Sequence, residues 1–175
     1  MKSRISLLIL IIICFLIQST LLGRLAIGQI RPNLLLILCV CMGLMRGRKS
    51  GLWTGFTAGL LIDLFYGTVF GFYALVYMYV GYFSGYAHML YYDDDIKVPL
   101  GISAVADLLY NLAVYCLQFL LRGRLNLQVY LVRIILPEVF YTTILTLFVY
   151  FPLRSYIYRF DKASWKEGAS IWVIK

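Results

Sequence analysis

Six apolar segments, separated by short polar stretches, organise the sequence. They cover residues 5–22, 33–45, 50–65, 72–90, 98–121 and 130–153. A helix that crosses the hydrocarbon core of a bilayer needs roughly 20 predominantly apolar residues, and several of these segments approach that length. The pattern therefore predicts an all-α integral membrane protein with about six transmembrane helices, forming a single domain over residues 1–153.

The second segment is too short to span a bilayer by itself. It has about 13 residues, so it must extend into its flanks or cross only in part, because helix-end backbone groups cannot stay unsatisfied in hydrocarbon. Residues 66–71, between the third and fourth segments, carry no charge. These two segments fit either two separate spans or one interrupted hairpin.

Basic residues are distributed unevenly over the two predicted sides of the membrane. Eleven Lys and Arg residues lie at the amino terminus, in the loops 46–49 and 93–97 and at the carboxyl end, whereas five lie on the opposite side. Lys and Arg are retained on the cytoplasmic side of membrane proteins. The distribution predicts that both termini are cytoplasmic.

Composition changes the picture by excluding whole classes of function. Apolar residues make up 62% of the chain and charged residues only 14%, against roughly 45–50% and 25% in soluble domains. The net charge of +8 therefore indicates orientation and contact with anionic lipid, and nucleic acid is not an expected partner. Bases alternate with aromatic residues over residues 154–175, which predicts a cytoplasmic tail lying on the inner leaflet.

Small residues recur at helical spacing in the middle of the chain. At every fourth position stand Gly51, Gly55, Gly59, Asp63, Gly67 and Gly71. Gly81 and Gly85 repeat the spacing in the fourth segment, so two grooves of small residues could face one another. Such grooves let helix backbones approach closely. They fit helix packing within one subunit, or a groove for a partner.

Three acidic residues fall inside apolar segments, at similar predicted depth. They are Asp63, Asp107 and Glu138; Asn111 lies one turn from Asp107, and Arg133 lies five residues before Glu138. Intramembrane charges are costly and usually face protein or water. The five residues predict a buried polar cluster, which fits either a transport or proton site or a hydrogen-bonded latch that fixes helix register.

Catalytic motifs are weak in this sequence. Asp63 and Asp107 could face each other as in an intramembrane aspartyl protease, but neither follows a Gly-x-Gly pattern. Ser84 and His88 lie on one helix, and the run of acids at residues 93–95 is typical of a solvated loop rather than a metal site. We expect no catalytic residue, metal or cofactor.

Several of these features together resemble one family, the rod shape-determining protein MreD. They are the run Arg-Pro-Asn-Leu-Leu-Leu at residues 31–36, the basic loop at 46–49, the small-residue stretch from 51 to 63, the proline in the last span and the basic carboxyl end. The resemblance implies that five residues are typical of the family and have structural roles: Pro32, Gly55, Gly59, Asp63 and Gly71. Glu138 and residues 93–95 are not features of the family.

The resemblance implies a non-enzymatic component of the bacterial cell-elongation and peptidoglycan-synthesis machinery in the inner membrane. Its implied partners are an MreC-like periplasmic scaffold, an MreB-like filament, and a RodA-type glycosyltransferase with its penicillin-binding protein. It also implies a fold like the substrate-binding subunits of energy-coupling-factor transporters. A vitamin-binding subunit is therefore the alternative function, although the bulky first segment, residues 7–17, lacks the small residues through which those subunits dock.

Overall fold

All elements of the computed structural model are helices in the part of the chain that the structure describes, residues 2–22, 32–67, 69–90, 96–122 and 131–172. In chain order they are α1 (Lys2–Ile17), α2 (Leu34–Arg46), α3 (Arg48–Tyr66), α4 (Phe72–Ser84), α5 (Lys97–Arg122) and α6 (Leu136–Trp172). A π-helical turn, Gln18–Leu22, continues α1; a 3₁₀ segment, Gly85–Leu90, continues α4; and a π-helical segment, Leu131–Ile135, precedes α6. The prediction of an all-helical protein is confirmed.

Two stretches are long and apolar enough to cross a membrane by length and composition, Lys97–Leu117 and Leu131–Tyr156. Ile5–Thr20 and Leu34–Arg46 are shorter apolar helices. The six helices correspond in position to the six apolar segments of the sequence. The count of six membrane crossings stays a prediction.

Helix α2 is the axis of the bundle. Every residue from Leu34 to Leu44 is buried, and α2 contacts each of the other five helices. A helix that is apolar all round is buried on all sides, and α2 has no polar side chain before Arg46. Its rise of about 20 Å is short for a bilayer, but protein rather than lipid surrounds it.

Neighbouring side chains accept hydrogen bonds from the free backbone N–H groups at the amino-terminal end of α2. The Asn33 side chain accepts a hydrogen bond from the Leu36 N–H at 3.1 Å, and Gln18 Oε1 accepts one from the Leu35 N–H at 2.9 Å. The Asn33 N–H in turn donates to the Thr142 hydroxyl of α6 at 3.4 Å. The short helix can therefore end inside the bundle, because α1 and α6 supply partners for its first backbone groups.

A single residue, Gly47, connects α2 to α3. Its φ of +82° with ψ of −177° is a combination essentially restricted to glycine. The Gly47 N–H donates to the Gly43 carbonyl at 2.9 Å. His88 hydrogen-bonds through Nδ1 to the Leu44 carbonyl, which gives a partner to one carbonyl group near the other end of α2.

Helices α5 and α6 pack against each other, both contact α2, and α5 also contacts α4. They pack together through buried hydroxyl groups, with Thr146 donating to Ser103 at 3.2 Å. Helix α6 continues through the boundary predicted at residue 153, with Pro152 inside it. The predicted tail is thus a helical extension of α6 as far as Trp172, and its location on a membrane surface stays a prediction.

Candidate functional site

The glycines of α3 pack directly against the backbone of α4. A Cβ atom added to Gly51 would collide with the Gly81 carbonyl oxygen, and one added to Gly55 would collide with the Tyr77 carbonyl oxygen. At Gly59 an added Cβ would lie 2.5 Å from the Ala74 Cα. The two grooves of small residues therefore face one another, and the antiparallel α3–α4 pair is a hairpin held at backbone contact.

Two further glycines extend this contact. Gly85, just after α4, lies against the backbone of Arg48, and Gly43 of α2 lies close to Gly81, since an added Cβ would be 2.7 Å from its carbonyl oxygen. Helices α2, α3 and α4 thus approach one another at one crossing. The surface formed by the small residues from Gly51 to Gly59 is covered by α4 of the same chain, so a partner helix cannot bind there.

Gly67 and Gly71 do not extend the groove, and the expectation that they do is wrong. Gly67 caps the carboxyl end of α3, its N–H donating to the Asp63 carbonyl at 3.1 Å. Gly71 begins α4 with a φ of +94°, and an added Cβ would meet nothing within 4 Å. The four-residue spacing continues past the end of the helix, where glycine serves the turn instead of packing.

Asp63 joins the end of α3 to the start of α4. Its buried carboxylate accepts hydrogen bonds from the backbone N–H groups of Tyr73, at 3.1 Å, and Ala74, at 2.8 Å. The N-cap residue of α4, Gly71, has no side chain with which to satisfy these groups. An acid at a helix amino terminus supplies acceptors and complements the helix dipole. Asp63 therefore links the two helices through hydrogen bonds and acts as the hydrogen-bonded latch between α3 and α4.

Asp107 and Glu138 form a second, separate polar group with Asn111. Asp107 is fully buried on α5, and the Asn111 amide donates to its backbone carbonyl at 3.1 Å. Glu138, at the start of α6, lies beside the Asn111 side chain and close enough to Asp107 to interact with it electrostatically. Within the described residues, neither carboxylate oxygen of Asp107 makes a hydrogen bond of normal geometry, and the Thr142 side chain of α6 lies beside the carboxyl group.

Arg133 does not join this group, which corrects the five-residue cluster expected from the sequence. It is exposed and lies in the π-helical segment that precedes α6. Glu138, by contrast, is half-buried, so the two side chains lie in different surroundings. Asp63 is likewise engaged elsewhere, and the three acids do not form one site.

A partly open polar cavity of about 180 Å³ lies at the end of the bundle where α1 and α3 finish and α2, α4 and α6 begin. Its lining consists of Phe15, Gln18, Ser19, Asn33, Ile62, Tyr66, Tyr73, Tyr110 and Glu138. Behind the lining, the Tyr77 hydroxyl donates to Asn33 Oδ1 at 2.6 Å, and its ring meets the Tyr110 ring edge to face at 5.3 Å.

Most residues of this cavity cannot be identified from the sequence. Glu138 stands out as an acid inside an apolar segment, but no sequence pattern assigns Asn33, Tyr73 or Tyr110 to a site. Tyr73 and Tyr77 stand four residues apart on α4, the one signal in the sequence that places two phenols on one helix face. Residues 23–31 and 91–95, which include Arg31 and the predicted solvated acids, lie outside the described residues.

A comparison with known families identifies the family to which the chain belongs. The family model described as rod shape-determining protein MreD matches residues 1–160. The chain belongs to the MreD family. No curated protein and no solved structure matches it, so the likeness to energy-coupling-factor subunits stays a prediction.

Membership of the MreD family assigns the chain to a membrane protein family with a role in rod-shape determination. The match covers all of α1 to α5 and the whole apolar part of α6. It includes Pro32, buried directly before α2, together with Gly55, Gly59, Asp63 and Gly71. The structural positions of these five residues are those described above.

This MreD-family chain also carries a long apolar groove between α4 and α5. The groove has a volume of about 1,090 Å³ and runs from Phe72 to Ala87 on one side and from Lys97 to Ala113 on the other. Lys97 is the one charged residue among its described lining residues. Gly101 is an exposed residue of the lining, and an added Cβ there would meet nothing within 4 Å.

Proposed function

We propose that this MreD-family protein is a non-catalytic membrane scaffold of the bacterial cell-elongation machinery. It crosses the cytoplasmic membrane six times with both termini in the cytoplasm, and it docks the membrane helix of an MreC-like partner. The observation that carries the proposal is the family match over residues 1–160. An MreB-like filament and a RodA-type glycosyltransferase with its penicillin-binding partner would be reached through the same assembly.

The α4–α5 groove is the surface we assign to the partner helix. From Lys97 to Ala113 it follows about 24 Å of helix rise, comparable to most of the roughly 30 Å hydrocarbon core. Small residues along it, Ser84, Gly101 and Ala106, allow a second backbone to come close. The partner thus binds beside the α3–α4 hairpin. The glycines of the hairpin hold α4 against α3, and this keeps the α4 side of the groove rigid.

The side chains with catalytic potential are engaged in structural contacts, which favours a scaffold over an enzyme. Both carboxylate oxygens of Asp63 accept backbone N–H groups of α4, so Asp63 is not poised opposite Asp107 as a protease dyad requires. The Ser84 hydroxyl donates to the Val80 carbonyl at 2.7 Å, while His88 bonds to the Leu44 carbonyl.

A small-molecule-binding subunit of an energy-coupling-factor-type transporter is the second candidate, and the polar cavity is the observation that favours it. In that case the partner is a pair of ATPases rather than an MreC-like chain. The exposed face of α1 carries bulky residues such as Ile9, Ile12 and Leu16. Such a surface lacks the small residues that close helix docking uses.

Co-purification with a matched pair of variants tests the scaffold. Val105 lies in the groove and is 59% exposed, whereas Val132 lies outside it and is 60% exposed. We expect Val105→Trp to lower the recovery of the MreC-like chain in mild detergent by at least about fivefold, since about 1 kcal/mol of lost packing has that effect. Val132→Trp leaves recovery unchanged. Equal effects of both variants, or recovery of an ATPase pair in place of the MreC-like chain, would contradict the proposal.

A further inference from the structure

The polar cavity combines aromatic walls with a carboxylate. Of its nine described lining residues, four are aromatic: Phe15, Tyr66, Tyr73 and Tyr110. Tyr73 and Tyr110 lie with their ring centroids 6.2 Å apart. Gln18, Ser19 and Asn33 add amide and hydroxyl groups, and Glu138 adds an acid. None of the nine carries a positive charge.

A second acid, Asp107, stands behind this lining, with the Thr142 side chain beside its carboxyl group. Asp107 is fully buried, and neither of its carboxylate oxygens has a hydrogen-bond partner within the described residues. Its charge acts on two residues that line the cavity, Glu138 and Tyr110. Glu138 in the lining and Asp107 behind it therefore place two carboxyl groups near one side of the cavity, whose other described lining residues are aromatic rings, neutral polar groups and Ile62.

Such a pair is costly unless something compensates it. A buried carboxylate without a partner loses its hydration, and a second carboxylate beside it adds repulsion. A cation bound in the cavity would offset both effects. The aromatic faces select the kind of cation, because ring faces attract organic ammonium groups, whereas metal ions such as Ca²⁺ require a shell of six to eight oxygen ligands.

We propose that this cavity binds a small organic ammonium compound, with Glu138 as the carboxylate that meets the cation and Tyr73 and Tyr110 as its aromatic walls. Asp107 is a positioning residue that adds negative potential from behind. The volume of about 180 Å³ is below the usual range for cofactor-sized ligands. The site shares Tyr110 with the lining of the α4–α5 groove, whereas Glu138 and Tyr73 line the cavity alone, so choline binding can be measured separately from partner docking.

The test compares a charged probe with its uncharged isostere on the full-length protein in detergent. Choline chloride and 3,3-dimethylbutan-1-ol have nearly the same shape, but only choline carries a charge. We expect choline and tetramethylammonium to raise the thermal unfolding midpoint in a saturable way, with the alcohol, and sodium chloride at equal ionic strength, giving no saturable shift.

Variants separate ligand binding from a merely structural role. Glu138→Gln keeps a hydrogen-bonding group for Asn111, so it is expected to fold while weakening choline binding about tenfold or more. Tyr73→Leu is expected to weaken binding several-fold. Tyr79→Leu, on the same helix but outside the cavity, is the control and leaves it unchanged.

Three results would overturn the assignment. One is the absence of any choline-dependent shift up to about 0.1 M, where a site with millimolar Kd is saturated. The second is an equal response to choline and the alcohol. The third is an undiminished choline response in Glu138→Gln, which would separate the effect from the carboxylate of this cavity.

Discussion

Replacing Gly55 by alanine perturbs the closest approach of α3 and α4 by a single methyl group. The added Cβ would collide with the carbonyl oxygen and carbon of Tyr77 and lie 3.0 Å from the Met78 Cα. All three atoms belong to the backbone, so no side chain can rotate away to make room. The methyl group fits only if α3 and α4 separate along the hairpin.

The expected size of the effect follows from two opposing terms. Overpacking of a close-packed site costs about 1–3 kcal/mol, and replacing glycine by alanine inside a helix returns about 0.5–1 kcal/mol. The net loss in free energy of unfolding is about 1–2 kcal/mol, which lowers the thermal midpoint of a chain of this size by about 2–8 °C.

Gly101→Ala is the matched control for this experiment. Gly101 is also inside a helix, yet an added Cβ there meets nothing within 4 Å. The same chemical change should therefore keep the thermal midpoint in detergent or raise it by about 2–4 °C. If Gly55→Ala proved as stable as Gly101→Ala, the backbone contact between α3 and α4 would be refuted.

Three further changes probe the turns and helix ends, each measured as a change in free energy of unfolding in detergent. Asp63→Ala removes two acceptors from the start of α4 and should cost about 2–4 kcal/mol, whereas Asp63→Asn, which retains one acceptor oxygen, should cost about half as much; equal costs would contradict the latch. Gly71→Ala should cost about 1–2 kcal/mol because of its φ of +94°, and a neutral result would exclude that turn. Asn33→Ala frees the Leu36 N–H and the Tyr77 hydroxyl and should cost about 2 kcal/mol or more, whereas a loss near zero would mean that Asn33 does not cap α2.

The positions of the helices could be predicted because apolar runs are a property of the chain alone. All six apolar segments correspond to helices in the structure. The surroundings of α2 could not be predicted in the same way. Its 13 residues indicate a helix, but the fact that Gln18, Thr142 and His88 satisfy its ends depends on residues far away in the chain.

The grouping of the acids shows where sequence reasoning stops. Counting residues along a helix gives depth at about 1.5 Å per residue, and on that basis Asp63, Asp107 and Glu138 belong together. The depth of a residue in its helix does not determine which helix faces contact each other. Asp63 faces the turn into α4, Arg133 is exposed, and only Asp107 and Glu138 come together around Asn111.

The spacing of the glycines illustrates the same limit. A four-residue period identifies the α3 surface from Gly51 to Gly59 but carries no information on where α3 ends. Gly67 and Gly71 match the period and yet serve the turn. The tyrosines of the cavity were missed for a related reason, since fifteen tyrosines are spread along the chain and only the fold selects those that converge.

Site-specific photo-cross-linking in cells tests the docking of a partner helix most directly. A photoreactive residue replaces Val105, in the α4–α5 groove, or Val132, equally exposed but outside it. The account predicts a cross-link from position 105 to the membrane helix of an MreC-like chain, identified by its peptides, and none from position 132. Lipid-only products at position 105, with the MreC-like chain captured at position 132, would contradict it.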